Sequence, residues 1–295
     1  MKSLLDISDL NRKDIEDIFF LTDYLVNNSN DKILNNKCIG LIFEKYSTRT
    51  RISFQVGITQ LGGNFIDIDF EKLNLKRNET FEDTFKMFNI YLDGIVYRTD
   101  SHHKLEKAKS YFKNPIINGL SEKSHPCQII SDIYTLKKHF NSLDNIEISW
   151  FGDMNNVLFS YLEFIQIFPE IKLNIFTDKE IYNEKISFFP KNNIAKFYFD
   201  LNDSVISNSN CIMTDVYESM NDKANSNKRI LLNKFQVNED LMNKTKNDCV
   251  FAHCLPANIG NEVSKEVIEG KKSIVLEQAK NRMIAQKGIL KWLFI

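Results

Sequence analysis

Five consecutive residues, Ser47-Thr48-Arg49-Thr50-Arg51, bring hydroxyls and two guanidinium groups into one short turn. The turn separates an apolar run, Cys38-Ile39-Gly40-Leu41-Ile42-Phe43, from an amphipathic stretch that closes on Leu61-Gly62-Gly63. Ser47 is a good N-cap residue, and a helix start offers open N–H groups and the positive end of a dipole to an anion. The combination suits a phosphate dianion, although the segment alone also fits an ordinary capped helix with surface arginines. Arg98 ends the run Gly94-Ile95-Val96-Tyr97. His125-Pro126-Cys127-Gln128 stands where a loop becomes a helix, with Pro126 suited to a first helical turn. A lone His125 fits a structural role; with Gln128 it could hold a carbonyl and an amide-like group. Asp215, Ser219 and Met220 follow the run Cys211-Ile212-Met213, and His253-Cys254-Leu255-Pro256 follows another ending at Ala252.

These groups need strands that end where they begin. The chain alternates strand-like and helix-like stretches, which predicts an α/β fold of two domains, each a largely parallel sheet flanked by helices. Residues 65–68, 94–98 and 115–118 read as strands, and 81–91 and 104–112 as helices. Helical spacing of Ile52, Val56 and Thr59, with Phe54, Ile58 and Leu61, covers the segment after the Ser47 turn. Residues 127–140 form a strong helix with Ile129, Ile130, Ile133, Leu136 and Phe140 on one face. A second series starts at Ile146, with strands at 146–151, 172–176, 211–213 and 249–251. The expected boundary lies near residue 134. It gives a first domain of residues 1–133 plus 275–295 and a second of residues 134–274, with the active site in the cleft between them. In open α/β sheets, ligands bind at the carboxyl ends of strands, where every candidate group falls.

Composition narrows the function. Among 295 residues, 38 basic and 39 acidic side chains leave a net charge of −1. There is no basic excess for nucleic acid or an anionic membrane surface, and no apolar run approaches the ~20 residues of a span. The N-terminal Met1-Lys2-Ser3-Leu4-Leu5-Asp6 places an acid where a secretory signal continues its apolar core. Five cysteines without a C-x-x-C pair predict reduced thiols, a cytoplasmic setting and no zinc site.

Taken together, Ser-Thr-Arg-Thr-Arg, His-Pro-x-Gln and His-Cys-Leu-Pro resemble the aspartate/ornithine carbamoyltransferase family. Gly152-Asp153-x-Asn155-Asn156 and Asn281-Arg282-x-x-x-Gln286-Lys287 match as well, and the likeness runs over nearly the whole chain. Cys254 and the Asp215-x-x-x-Ser219-Met220 pattern point to the ornithine branch. The resemblance implies transfer of a carbamoyl group from carbamoyl phosphate to the δ-amine of L-ornithine, giving L-citrulline and phosphate in arginine biosynthesis. The residues themselves leave the direction of the reaction open. It implies that Ser47, Thr48, Arg49, Thr50, Asn74, Arg98, His125, Gln128, Cys254, Leu255 and Arg282 serve carbamoyl phosphate. Asn156, Asp215, Ser219 and Met220 would hold ornithine, and Arg98, His125 and Cys254 would be catalytic. Thr50, Arg98 and His125 would surround the carbonyl oxygen as an oxyanion hole. Gln128 and the Leu255 carbonyl, aimed by a cis bond to Pro256, would accept from the carbamoyl NH₂. Cys254 would take the δ-ammonium proton, and Arg282 would approach the carbamoyl group from the other side of the cleft. The resemblance also implies no metal or organic cofactor, and a homo-oligomer, a trimer or a multiple of trimers. In it the loop holding Asn74, Lys76, Arg77 and Asn78 reaches a neighbour's site.

Departures fall in two loops. Relatives often carry glycine where Lys76, Asn78 and Asn221 stand, and the stretch between Asp153 and Asp215 is shorter than usual. The alternatives are carbamoyl transfer to putrescine or N-acetylornithine, and a non-catalytic ligand-binding homologue. A dinucleotide-binding oxidoreductase fits less well, because residues 152–156 lack the glycines that admit a pyrophosphate.

Overall fold

Two separate parallel sheets organise the chain, and each strand run is bounded by polar turns. The computed structural model describes residues 2–76, 78–191, 193–218 and 226–295. Met1–Tyr134 with Asn281–Ile295 form one compact unit, and Thr135–Lys280 form the other.

The first unit holds a four-stranded sheet of order β2-β1-β3-β4. Its strands are β1 (Cys38–Phe43), β2 (Asn64–Ile68), β3 (Gly94–Arg98) and β4 (Ile116–Leu120). β1 and β3 are buried almost throughout, as expected of parallel strands covered on both faces. The helices are α1 (Arg12–Asn27), α2 (Arg49–Gln60), α3 (Phe81–Tyr91), α4 (His102–Tyr111) and the start of α5 (Pro126–Phe140), which runs on into the second unit. α1 was not anticipated, although Asn11 and Asp14 form a reciprocal capping box at its start and Ile15, Ile18, Phe19 and Leu25 bury one face.

The second unit holds five strands of order β7-β6-β5-β8-β9. These are β5 (Glu147–Phe151), β6 (Lys172–Phe176), β7 (Lys196–Tyr198), β8 (Cys211–Thr214) and β9 (Val250–His253). Helix α6 (Asn156–Ile167) is buried continuously from Val157 to Ile165, so it is a core helix rather than an amphipathic cover. The short helices α7 (Lys179–Lys185), α8 (Asp203–Ile206), α9 (Ser226–Leu232), α10 (Glu239–Asn243) and α11 (Lys265–Ile268) follow. The last helix, α12 (Val275–Phe294), begins in this unit and ends in the first.

Three local expectations change. Thr48, not Ser47, holds the cap position of α2; its backbone is helical and its side chain makes no capping bond. Ile52 and Val56 are exposed, and the buried face of α2 is Phe54 and Ile58. The polar loop after β2 contains two 3-10 turns, Phe70–Lys72 and Asn74–Lys76. In it Asn78 has φ +130°, a backbone state that favours glycine, as the family resemblance implies here.

Candidate active site

In the first sheet, β1 leads outward to β2 while β3 leads the opposite way to β4, so the gap beyond β1 and β3 is the topological switch point. Register fixes what meets there. Phe43 pairs with Arg98, so the turn after β1 lies beside the Arg98 side chain. Arg98 Nη1 donates to Ser47 Oγ at 3.2 Å. Helix α2 starts within this turn, and the Thr48 side chain leaves its first N–H groups uncapped, as an anion site requires. Arg49 is half-buried, and Thr50 is buried. The second guanidinium of the motif behaves differently. Arg51 lies over the Phe43 ring at 5.1 Å, and its Nε is 3.7 Å from an Asp67 oxygen. Arg51 therefore answers to a carboxylate of its own unit.

α12 brings Arg282 to the same cluster. Its Nη2 donates to Thr50 Oγ1 at 2.6 Å and lies 3.0 Å from His125 Nε2. Arg282 thus stands beside the Ser47–Arg51 turn, on the same unit as Thr50 and His125 rather than across a cleft from them. A guanidinium has no acceptor, so Nε2 must accept, which leaves the imidazole proton on Nδ1. Burial, then the charges of Arg282 and Arg98, hold the His125 pKa well below its ordinary value; the ring is neutral at physiological pH. Burial and the nearby Arg282 and Arg49 push Arg98 down to about 10. Gln128, three residues into α5, is buried, and its Nε2 donates to Asp132 Oδ1 at 2.7 Å. Asn74 is exposed on its 3-10 turn and makes no hydrogen bond to this cluster among the described residues.

The second sheet repeats the logic. Its switch point lies between β5 and β8, and Thr214 pairs with His253 across β8 and β9. Asp215 and Cys254 are the next residues on adjacent strands, and Cys254 Sγ donates to Asp215 Oδ1 at 2.8 Å. Two anions would repel at that distance, so the contact describes a thiol beside a carboxylate. The other carboxylate oxygen, Oδ2, accepts from Asn155 Nδ2 at 2.8 Å. Asn155 also caps α6 by accepting from Val157 and Leu158 N–H. Asn156, the residue expected to bind substrate, is half-buried at the first helical position. Ser219, Met220 and Asn221, and Arg77 of the first unit, lie outside the described residues.

The His253-Cys254-Leu255-Pro256 turn is tightly held. Leu255–Pro256 is cis and Leu255 has φ +55°. His253 Nδ1 accepts from Leu255 N at 2.8 Å, and its Nε2 lies 3.3 Å from Glu262 Oε1. Donor atoms of Asp215, His253 and Cys254 lie within 4.8 Å of one another, close enough to hold a metal ion. Both imidazole nitrogens already have partners, so an ion would have to displace the Leu255 N–H from Nδ1.

Several supporting residues escaped the sequence reading. Asp153 is buried with Lys185 Nζ 2.8 Å from Oδ1 and Lys228 Nζ 2.6 Å from Oδ2. Burial raises its pKa against the pull of the two lysines. Asn155, like Asp153, had entered only as part of the Gly152–Asn156 motif, and Asp132 and Glu262 were missed. Asp132 had a usable signal, because it follows Gln128 by four residues on one helix face.

Residues 2–138 match the aspartate/ornithine carbamoyltransferase carbamoyl-P binding domain, and residues 144–293 match the Asp/Orn binding domain. An ornithine carbamoyltransferase of Nitrobacter winogradskyi is 39% identical over 264 residues, covering 89% of this chain and 85% of that protein. One of Methanococcus aeolicus is 37% identical, over 99% of each chain. The solved structure of the Pyrococcus furiosus ornithine carbamoyltransferase superposes with a TM-score of 0.90 at 31% identity, covering 99% of this chain and 97% of that one. Two family domains in sequence, on two sheets with both switch points furnished, mean that the chain belongs to the aspartate/ornithine carbamoyltransferase family.

Proposed function

We propose that this chain transfers the carbamoyl group of carbamoyl phosphate to the δ-amine of L-ornithine, releasing L-citrulline and phosphate. The observation that carries the reading is the Ser47–Arg98 and Thr50–Arg282–His125 cluster at the first switch point. Uncapped amides, hydroxyls and guanidinium groups converge there around a neutral imidazole. A phosphate dianion answers the charge, and an adjacent carbonyl oxygen answers the neutral donors.

In this reading the first unit is the carbamoyl-phosphate domain and the second the ornithine domain. Ser47, Thr48, Arg49 and Thr50 bind phosphate, with Arg98 bridging it to the carbonyl oxygen; the planar fork of Arg suits that two-point task. As the amine attacks, negative charge grows on the carbonyl oxygen, and Thr50, Arg98 and His125 stabilise it. For His125 to donate through Nε2, Arg282 must release that nitrogen and turn to the substrate, and the ring proton must change sides. The tetrahedral intermediate then collapses: the new C–N bond stays, the C–O bond to phosphate breaks, and phosphate leaves with the electron pair and takes the second proton from the attacking nitrogen.

On the second unit the buried Asp215 carboxylate supplies the charge an ammonium needs. The nucleophile must first lose a proton, because an alkyl ammonium has a pKa of about 10.4. When ornithine brings its positive charge to Asp215, Cys254 exchanges a carboxylate neighbour for a cation. The thiol then ionises more readily, gives its proton to solvent, and accepts one from the δ-ammonium. Ser219 and Met220 complete the amino-acid contacts in this assignment, and Asn156 contributes its amide.

We also assign the enzyme to the cytoplasm and to arginine biosynthesis, with no nucleic-acid partner. Its assembly would be a homotrimer, in which Asn74 serves a neighbouring protomer. No helix among the described residues is long and apolar enough to cross a membrane. The test is a steady-state assay with ornithine, putrescine and N-acetylornithine as acceptors, alongside light scattering for mass. Citrulline formation at a kcat/KM at least tenfold above the other amines supports the reading; turnover of putrescine alone overturns it.

A further inference from the structure

We propose that Asp132 is a specificity-determining positioning residue: it fixes the Gln128 side-chain amide so that its oxygen, not its NH₂, faces the donor. The proposal rests on the assignment of carbamoyl phosphate to the first unit. Gln128 and Asp132 are one helical turn apart on α5, and each is 2% exposed. Gln128 Nε2 donates to Asp132 Oδ1 at 2.7 Å. Gln128 Oε1 is buried and has no hydrogen-bond partner among the described residues.

The chemistry of the pair decides the amide's orientation. A carboxylate accepts hydrogen bonds and has no proton to give, so only the NH₂ end of Gln128 can face it. The amide oxygen is thereby turned away from Asp132 and left without a partner, in the loop-to-helix junction that His125 opens. A buried acceptor in that state costs stability unless a ligand donates to it. Carbamoyl phosphate carries an NH₂ on its carbonyl carbon, whereas an acyl phosphate carries a carbon there. An oxygen at this position therefore favours the carbamoyl donor, and an NH₂ at the same position would repel it. Without an acceptor at residue 132 the two amide orientations become comparable in energy, and the selectivity is lost.

The experiment compares carbamoyl phosphate with acetyl phosphate as donor, at saturating ornithine, in Asp132→Leu, Asp132→Asn, Gln128→Leu and the Asp132→Leu/Gln128→Leu double variant. A charge-assisted hydrogen bond corresponds to roughly ten- to a hundredfold. Asp132→Leu is expected to lower kcat/KM for carbamoyl phosphate by about that factor while acetyl phosphate is little changed. Asp132→Asn, whose amide can donate as well as accept, should show a smaller loss of selectivity; it stands alone as the test if the leucine variant does not fold. In the Gln128→Leu background, Asp132→Leu should add no further loss. Equal losses for both donors overturn the proposal, as does an unchanged donor preference in Asp132→Asn. An undiminished cost in the Gln128→Leu background does the same, since that marks a purely structural role. Gln128→Leu alone separates the two levels of inference: if it leaves carbamoyl phosphate kinetics unchanged, the assignment of the donor site itself fails, and the role of Asp132 with it.

Discussion

Gly152 ends β5 and opens the turn that carries Asp153, Asn155 and Asn156, so replacing it with alanine tests how that turn is held. Two costs can be worked out separately. The backbone has φ +122°, a region that L-residues rarely occupy, which costs about 1–3 kcal/mol. The new Cβ would also lie 2.8 Å from Tyr217 Cε1 and 3.2 Å from Cδ1. Tyr217 is only 3% exposed, so its rigid ring cannot swing aside, and overpacking of this kind costs about 1–3 kcal/mol more. A combined loss near 4 kcal/mol corresponds to a fall in melting temperature of about 8–16 °C for a domain of this size. The two terms separate in a double-mutant cycle. Tyr217→Ala removes the ring, so in that background Gly152→Ala should retain only the backbone cost, giving a coupling of about 1–3 kcal/mol. Calorimetry and urea unfolding measure both, and ornithine KM should rise while carbamoyl phosphate KM holds. A loss below about 0.5 kcal/mol, or a coupling indistinguishable from zero, would refute the reasoning.

Three other outcomes follow from the same structure. His125→Ala should lower kcat by about 100-fold, the size of a lost oxyanion donor, with phosphate binding largely kept. Because burial and two arginines hold that imidazole neutral, the wild-type acid limb should show no inflection near pH 6.5, and one that disappears in His125→Ala would contradict the assignment. Asp6 is buried, which opposes its ionisation, yet hydrogen bonds from His102 and Lys123 outweigh this and set its pKa at about 2. Its folded pKa is thus below its unfolded value of 3.8, so the stabilisation is present above that value and lost as pH falls through 2. Asp6→Asn should therefore cost roughly 2 kcal/mol at pH 7, converging with wild type near pH 2 in urea titrations, and a pH-independent difference would sink the claim. Cys254→Ala should lower turnover and flatten the alkaline side of the pH profile, and an unchanged profile would exclude Cys254 as the proton acceptor.

What the sequence made legible was mainly the strand ends. Buried parallel strands leave unbroken apolar runs, and the residue after each run is fixed in space by register. That is why Arg98, Asp215 and Cys254 could be placed before any coordinates. The partners of those residues were less legible, because they come from other elements. Nothing near Asp215 in sequence reveals that Asn155, sixty residues earlier, holds its second oxygen. Lys185 and Lys228 look like solvated surface charges until Asp153 is seen buried between them. Ser47 was misplaced as a cap because its hydroxyl has a better use, accepting from Arg98 across 51 residues of chain. Helix α1 was overlooked for a different reason: its Asn11–Asp14 capping box was present but carried no chemistry to draw attention.

The two switch-point clusters carry buried charge of opposite sign. At the first switch point, burial opposes the Arg98 charge most, and Arg282 and Arg49 repel it as well. At the second, the Asp215 carboxylate occupies a buried position with a thiol and an amide as its hydrogen-bonded neighbours. Buried charge of one sign costs stability in either cluster. In the proposed function each would become favourable when its own substrate arrives, the first with a dianion and the second with an ammonium. Under that assignment a cation would be repelled by the arginines and an anion by Asp215, so the charges that cost each empty cluster stability would also select its substrate.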